Sequence, residues 1–111
     1  MFGEGETRRD YTYISDIVDG IARSLEHCDG YRVYNLGESK TISLRDLIST
    51  IEVALDKEAT IKKMPMQPGD VSMTFADISR AREELGYNPQ VDIKTGILQY
   101  INWFKTASLP T

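Results

Sequence analysis

Two short stretches of this chain carry side chains that could grip a small anionic or hydroxylated molecule. The first is Arg8-Arg9-Asp10. A guanidinium presents its N–H donors as a planar fork that fits a phosphate bidentately. The same fork fits a carboxylate, so spacing alone leaves a structural ion pair and a phosphate contact both open. The second is M-P-M-Q-P-G-D-V, residues 64–71. Pro65 and Pro68 restrict the backbone, and Gly69 permits a tight turn. Gln67 and Asp70 present an amide and a carboxylate suited to hydroxyl groups. On residue types alone this is a rigid loop, with a ligand role as the second reading.

Side chains that would carry out a reaction are harder to find. Gly3 and Gly5 form G-x-G, but no strand precedes them and no helix opens directly after, as a dinucleotide-binding turn requires. They read as loop. A phenol made acidic by a neighbouring ammonium needs a lysine four residues after a tyrosine, on one helix face. The residues four after Tyr11, Tyr13, Tyr31, Tyr34, Tyr87 and Tyr100 are Ser15, Ile17, Asn35, Glu38, Val91 and Phe104. None is lysine. His27 has no nucleophile at a recognisable spacing and reads as a residue favoured by a helix C-terminus. Its neighbour Cys28 reads as inert, and no cluster has metal-ligand spacing. No catalytic residue and no metal site is expected in this chain.

The elements that must position the two stretches follow from periodicity. Residues 9–13 alternate charge and aromatic character and predict a short strand. Ile14, Ile17, Val18, Ile21, Ala22 and Leu25 then fall on one face of a helix. Ser15 is its expected N-cap, Asp16 and Asp19 place negative charge in its first turn, and Gly30 marks its stop. Residues 31–36, Y-R-V-Y-N-L, predict a strand closed by Gly37. Ser43 with Asp46 resembles a capping box before the stripe Leu44, Leu47, Ile48, Ile51, Leu55. Residues 59–64 predict a further strand. Asp77 is expected to cap a short helix that runs through Leu85 and ends at Gly86. Asp92 is expected to start the last helix, whose stripe includes Ile93, Gly96, Ile97, Tyr100, Ile101 and Phe104, with Pro110 beyond its end. Strands alternating with helices make an α/β chain of about four helices and three short strands. Three short strands leave open sheet edges.

Bulk properties narrow the function classes. The chain has 111 residues, enough for one small domain, with 41% hydrophobic and 27% charged residues. Its net charge of −4 and the lack of a basic stripe argue against a nucleic-acid binder. Apolar runs are only three or four residues long, so no membrane span is expected. One cysteine rules out an intramolecular disulfide and fits a reducing compartment, so the expected setting is cytoplasmic.

Taken in order, several motifs resemble those of the extended short-chain dehydrogenase/reductases, specifically the NAD-dependent nucleotide-sugar epimerases and dehydratases. T-R-R-D-Y-T-Y-I-S-D-I-V-D-G-I, residues 7–21, is similar to the family's R-D-Y segment and following helix. Y-N-L-G at 34–37 is similar to its next strand, and P-M-Q-P-G-D-V with F-A-D-I-S-R-A and L-G-Y-N-P to its sugar-nucleotide loop and the helix after it. M-Q-P-G-D-V is most similar to the UDP-glucuronate 4-epimerase branch. Many UDP-galactose epimerases carry arginine where Gln67 stands, so one expected diphosphate contact is missing.

The resemblance implies that residues 1–111 correspond to the C-terminal sugar-nucleotide-binding region, with the N-terminal NAD-binding Rossmann part lying outside this chain. It implies that Arg9 contacts the diphosphate of a UDP-sugar and that Gln67, Pro68, Gly69 and Asp70 line or shape the nucleotide end of the site. The reaction implied is transient hydride transfer, in which NAD⁺ oxidises C4 of the sugar and hydride returns to the other face. The cofactor is expected on the whole enzyme and not on this chain alone, which is expected to be inactive by itself. Expected partners are the UDP-sugar and the N-terminal part. Self-association is expected through apolar faces left exposed. A dehydratase or reductase of the same superfamily, and a free-standing small binding protein, are the competing readings.

Overall fold

The computed structural model describes residues 1–107. The chain order is β1 (Arg8–Arg9), α1 (Ile14–Glu26), β2 (Ile42–Ser43), α2 (Leu44–Leu55), α3 (Ser79–Leu85) and α4 (Ile93–Thr106). β1 and β2 form a small antiparallel sheet, with Arg8 opposite Ser43 and Arg9 opposite Ile42. The four helices stand where the apolar periodicity places them. Pro110 lies outside the described residues.

The helix caps carry much of this agreement. Ser43 Oγ accepts from Asp46 N at 3.1 Å, and Asp92 Oδ1 accepts from Thr95 N at 2.8 Å. Each satisfies a first-turn donor that has no partner inside the helix. The Thr95 bonds hold the Asp92 carboxyl below the usual carboxylate range. Asp77 accepts from Ser79 N at 3.0 Å one residue earlier than a formal cap, because Ile78 occupies the cap position. α3 ends at Gly86 with φ +69°, the left-handed region that favours glycine. His27 caps the C-terminal end of α1, with its ring Nδ1 2.9 Å from Arg23 O.

The strands differ from the expectation. A strand exists only where another segment supplies its hydrogen bonds. Residues 31–36 have no such neighbour among the described residues; Tyr34 and Leu36 instead pack on the core formed by Ile78, Ala81, Leu85 and Tyr87. Residues 59–64 make one isolated bridge, Phe2 to Met64. The expected strand at 9–13 shrinks to Arg8–Arg9, because from Asp10 onward the chain turns into α1. α1 opens at Ile14, with Tyr13 rather than Ser15 at the cap.

α1 is amphipathic, but its buried side is the polar one. Asp16 and Gly20 are buried, whereas Ile14, Val18, Ile21 and Leu25 are 50–69% exposed. Gly20 permits the close approach of Leu36: a Cβ would stand 2.7 Å from Leu36 Cδ1, so that side chain would have to shift. None of the described helices is long and apolar enough to cross a membrane.

Candidate functional site

β1 sets the two arginines on opposite faces, as strand alternation dictates. It lies between β2 and residues 72–74, where Arg8 N donates to Ser72 O at 2.8 Å and Thr74 N donates to Arg8 O at 3.2 Å. Arg8 turns toward β2. Its Nε donates to Thr41 Oγ1 at 2.9 Å and its Nη2 to Thr41 O at 3.1 Å. Arg8 is therefore a structural tie.

Arg9 points the other way, toward the 64–71 loop. Its Nη2 donates to Asp70 Oδ1 and to Val71 O, each at 2.9 Å, and its Nη1 donates to Arg8 O at 2.7 Å. The structure thus brings Arg9 and Asp70 together as an ion pair. Pro68 and Gly69 shape the turn that delivers Asp70: Asp70 N donates to Gln67 O at 3.2 Å, and Gly69 has φ +80°. Proline then glycine with positive φ, closed by that bond, is the pattern of a type II turn. Gln67 contributes its carbonyl to the turn. All four residues from Gln67 to Asp70 are exposed.

Asp10 is the residue that organises this region, and the sequence reading assigned it no role. Its carboxylate accepts from Glu38 N at 2.9 Å, Ser39 N at 2.9 Å and Ala76 N at 3.2 Å. Thr12 Oγ1 donates to it at 3.3 Å. One side chain thereby joins the R-D-Y segment, the loop after Y-N-L-G and the segment leading to α3. Tyr87, fully buried, donates its hydroxyl to Gly37 O at 2.7 Å from below. Burial pushes the Tyr87 phenol up to about 12, so it remains a donor. Asp16 does the same kind of work one layer away, accepting from Gln90 N at 2.8 Å and Val91 N at 3.0 Å. The R-D-Y and Y-N-L-G tetrads hint at these positions, but nothing in their spacing names the partners.

Arg9 and Asp10 border an open cleft of about 290 Å³, lined also by Thr12, Gly37, Thr74 and Phe75. Its charged groups are the Asp10 carboxylate, satisfied by backbone donors, and the Arg9 guanidinium, paired with Asp70. Arg9 is the one cationic group among the described residues of this lining, and Phe75 adds an apolar ring. The cleft contains no acid–base pair. A larger concavity of about 390 Å³ lies between α2 and α4, lined by Ser49, Thr50, Val53, Ala54, Lys94 and Leu98. That one is mostly apolar with a single ionisable group, and the cleft at Arg9 is the better candidate because polar groups converge there.

Residues 1–100 match the family model described as GDP-mannose 4,6 dehydratase. The chain belongs to this family. Other proteins similar to this member of the GDP-mannose 4,6-dehydratase family include nucleotide-sugar epimerases. A UDP-glucuronate 4-epimerase of Thermodesulfobacterium geofontis is 38% identical over 106 residues, covering 95% of this chain and 32% of that protein. An uncharacterized protein of Methanocaldococcus jannaschii is 45% identical over 104 residues, 94% of this chain and 32% of that protein. Among solved structures, the UDP-glucuronic acid 4-epimerase of Bacillus cereus in complex with UDP-glucuronic acid and NAD has a TM-score of 0.82 at 35% identity, over 94% of this chain and 35% of that chain. The UDP-glucose 4-epimerase of Thermotoga maritima with UDP-glucose has a TM-score of 0.85 at 27% identity, over 95% and 34%. The chain spans about a third of the length of these relatives. The α/β fold it shares with Rossmann-type epimerases extends over nearly all of its described residues.

Glu38 adds a pH dependence to the same region. Its Oε2 is buried with no hydrogen-bond partner among the described residues. Burial, then Asp16, Asp10 and Asp92, raise its carboxyl above the usual range, with Lys40 opposing. A carboxyl raised on folding stabilises the fold below the ordinary glutamate range, and that contribution is lost as pH climbs through the raised value. Glu38→Gln should therefore flatten the fall in melting temperature between mildly acidic and neutral pH. Parallel melting curves of the variant and the unmodified chain across that range would refute the assignment.

Proposed function

We propose that this chain is the sugar-nucleotide-binding region of an NAD-dependent nucleotide-sugar 4-epimerase acting on UDP-glucuronate. The observation that carries this is the pairing of Arg9, which lines the cleft, with Asp70 at the end of the Gln67-Pro68-Gly69-Asp70 turn. Arg9 supplies the charge for a diphosphate. Gln67 and Asp70 supply groups for nucleotide hydroxyls, and Pro68 and Gly69 fix the turn that holds them. The similarity to UDP-glucuronate 4-epimerases supports the substrate.

NAD supplies the hydride chemistry in such an enzyme. The described residues do not suit it: Gly3 and Gly5 sit before β1, not between a strand and a helix, and no tyrosine has a lysine four residues on. The cofactor and the proton-transferring pair belong, in this reading, to an N-terminal Rossmann part. The exposed apolar face of α1 is suited to packing against it. The chain alone is accordingly inactive and binds no NAD. A 4,6-dehydratase is the second reading, favoured by the description of the matching family model.

Removing the Arg9 fork tests the binding claim. A hydrogen bond to a charged group contributes roughly 1.5–3 kcal/mol, so Arg9→Ala should weaken UDP binding by about one to two orders of magnitude. Arg9→Lys should restore only part, because an ammonium keeps the charge and loses the fork. Calorimetry with UDP that finds Arg9→Ala unchanged, in a folded chain, would end the claim. Offering UDP-glucuronate and UDP-glucose to an enzyme carrying this chain together with an NAD-binding part decides the branch. Preference for UDP-glucose would sink the UDP-glucuronate assignment, and loss of water from the product would establish a dehydratase.

A further inference from the structure

The guanidinium of Arg9 can fork a phosphate along two edges, one pairing Nε–H with an Nη2–H, the other pairing an Nη1–H with an Nη2–H. Both edges run through Nη2. That nitrogen is engaged by Asp70 Oδ1 and Val71 O at once, each at 2.9 Å. Neither edge is open to a bidentate ligand while those two bonds stand.

The segment that supplies them is suited to letting go. It is anchored on one side by Met64, bridged to Phe2, and on the other by Ser72 and Thr74, bonded to Arg8. Between these anchors residues 65–71 are exposed, and both hydrogen bonds reaching them from the rest of the described chain come from Arg9. The side chains of Arg9 and Asp70 are 29% and 33% exposed, and ion pairs that wet are weak.

We propose that Asp70 and Val71 form a latch on Arg9 that a diphosphate group displaces. Asp70 competes with the phosphates for Nη2, and its carboxylate, once released, is available to accept from a hydroxyl. Binding is then an exchange of partners in which the loop moves off Arg9 as the anion arrives. This rests on the reading of Arg9 as the phosphate contact.

Inorganic pyrophosphate isolates the exchange, because it carries phosphates and no hydroxyl that Asp70 could hold. Calorimetry should find Asp70→Ala tightest, Asp70→Asn intermediate and the unmodified chain weakest, with about a two- to fivefold span, as befits an exposed pair. In an Arg9→Ala background the gain from Asp70→Ala should vanish; a general effect of removing one negative charge would persist there. The reverse order, with Asp70→Ala weakest and Asn partly rescuing, would make Asp70 a residue that orients Arg9 and overturn the latch. Equal affinities, or a gain that survives without Arg9, would also overturn it. If instead Arg9→Ala alone leaves pyrophosphate affinity unchanged, the reading of Arg9 itself fails, which the other outcomes do not imply.

Discussion

Asp10→Ala is expected to lower stability by about 2–4 kcal/mol, a large share of the roughly 5–15 kcal/mol that holds a small domain together. The carboxylate accepts three backbone N–H groups, from Glu38, Ser39 and Ala76, and a hydroxyl from Thr12. Bonds to a charged acceptor are individually stronger than neutral ones. Deleting the acceptor leaves part-buried amides without a partner, and that orphaning dominates the loss. The figure is kept below the sum of separate bonds because the Ser39 amide can recover water. Asp10→Asn keeps one carbonyl oxygen and turns the other position into a donor facing donors, so it should fall between Ala and the unmodified chain. Urea unfolding of the three chains reads the result. A midpoint in Asp10→Ala equal to that of the unmodified chain would show that the three segments are held together by something else.

How much of this could be read in advance differs by element, for physical reasons. The helices and the caps at Ser43 and Asp92 are local: each cap bonds an amide three residues on, and the apolar period repeats within each helix. Gly86 and Gly69 were legible for the same reason, since a stop or a proline–glycine turn is written in adjacent residues. The strands at 31–36 and 59–64 were not, because a strand is a relation between segments and β-branched or aromatic composition names only one side of it. α1 shows a different limit. Its stripe of Ile14, Val18, Ile21 and Leu25 correctly announces a helix, but a period cannot say which face this chain covers. The opposite face, with Asp16 and Gly20, is the one packed, toward Leu36 and residues 90–91. At the candidate site, Arg9 and Asp70 were each singled out, while their mutual pairing across 61 residues was not legible. Asp10 and Asp16 were missed as organisers because the backbone amides they accept from lie 28 to 75 residues away in sequence.

Gly37→Ala should be nearly as damaging as loss of Asp10, by a different route. The backbone at Gly37 does not need positive φ, so the requirement is one of space. A Cβ there would stand 2.7 Å from Ala76 Cβ and 2.8 Å from Asp10 Oδ2. Neither obstacle is the free end of a flexible side chain. Ala76 Cβ is fixed to a backbone whose amide Asp10 holds, and the carboxylate is fixed by its own donors. The substitution must therefore push the 36–39 loop away from Asp10 or off the Tyr87 hydroxyl beneath it, 2.7 Å from Gly37 O. Overpacking costs about 1–3 kcal/mol, and the strained hydrogen bonds add to it, giving roughly 2–4 kcal/mol. Gly69→Ala is the matched control. It has φ +80° but nothing within 4 Å of the added methyl, so only the backbone preference of about 1–2 kcal/mol is at stake, in an exposed turn. The two glycines should also separate by readout. Gly37→Ala should lower the melting temperature clearly, whereas Gly69→Ala should act chiefly on the turn that presents Asp70 to Arg9. Equal melting temperatures for Gly37→Ala and the unmodified chain would mean that the loop, Asp10 and Ala76 can part without loss, and the close three-way contact would then have no role in holding the cleft.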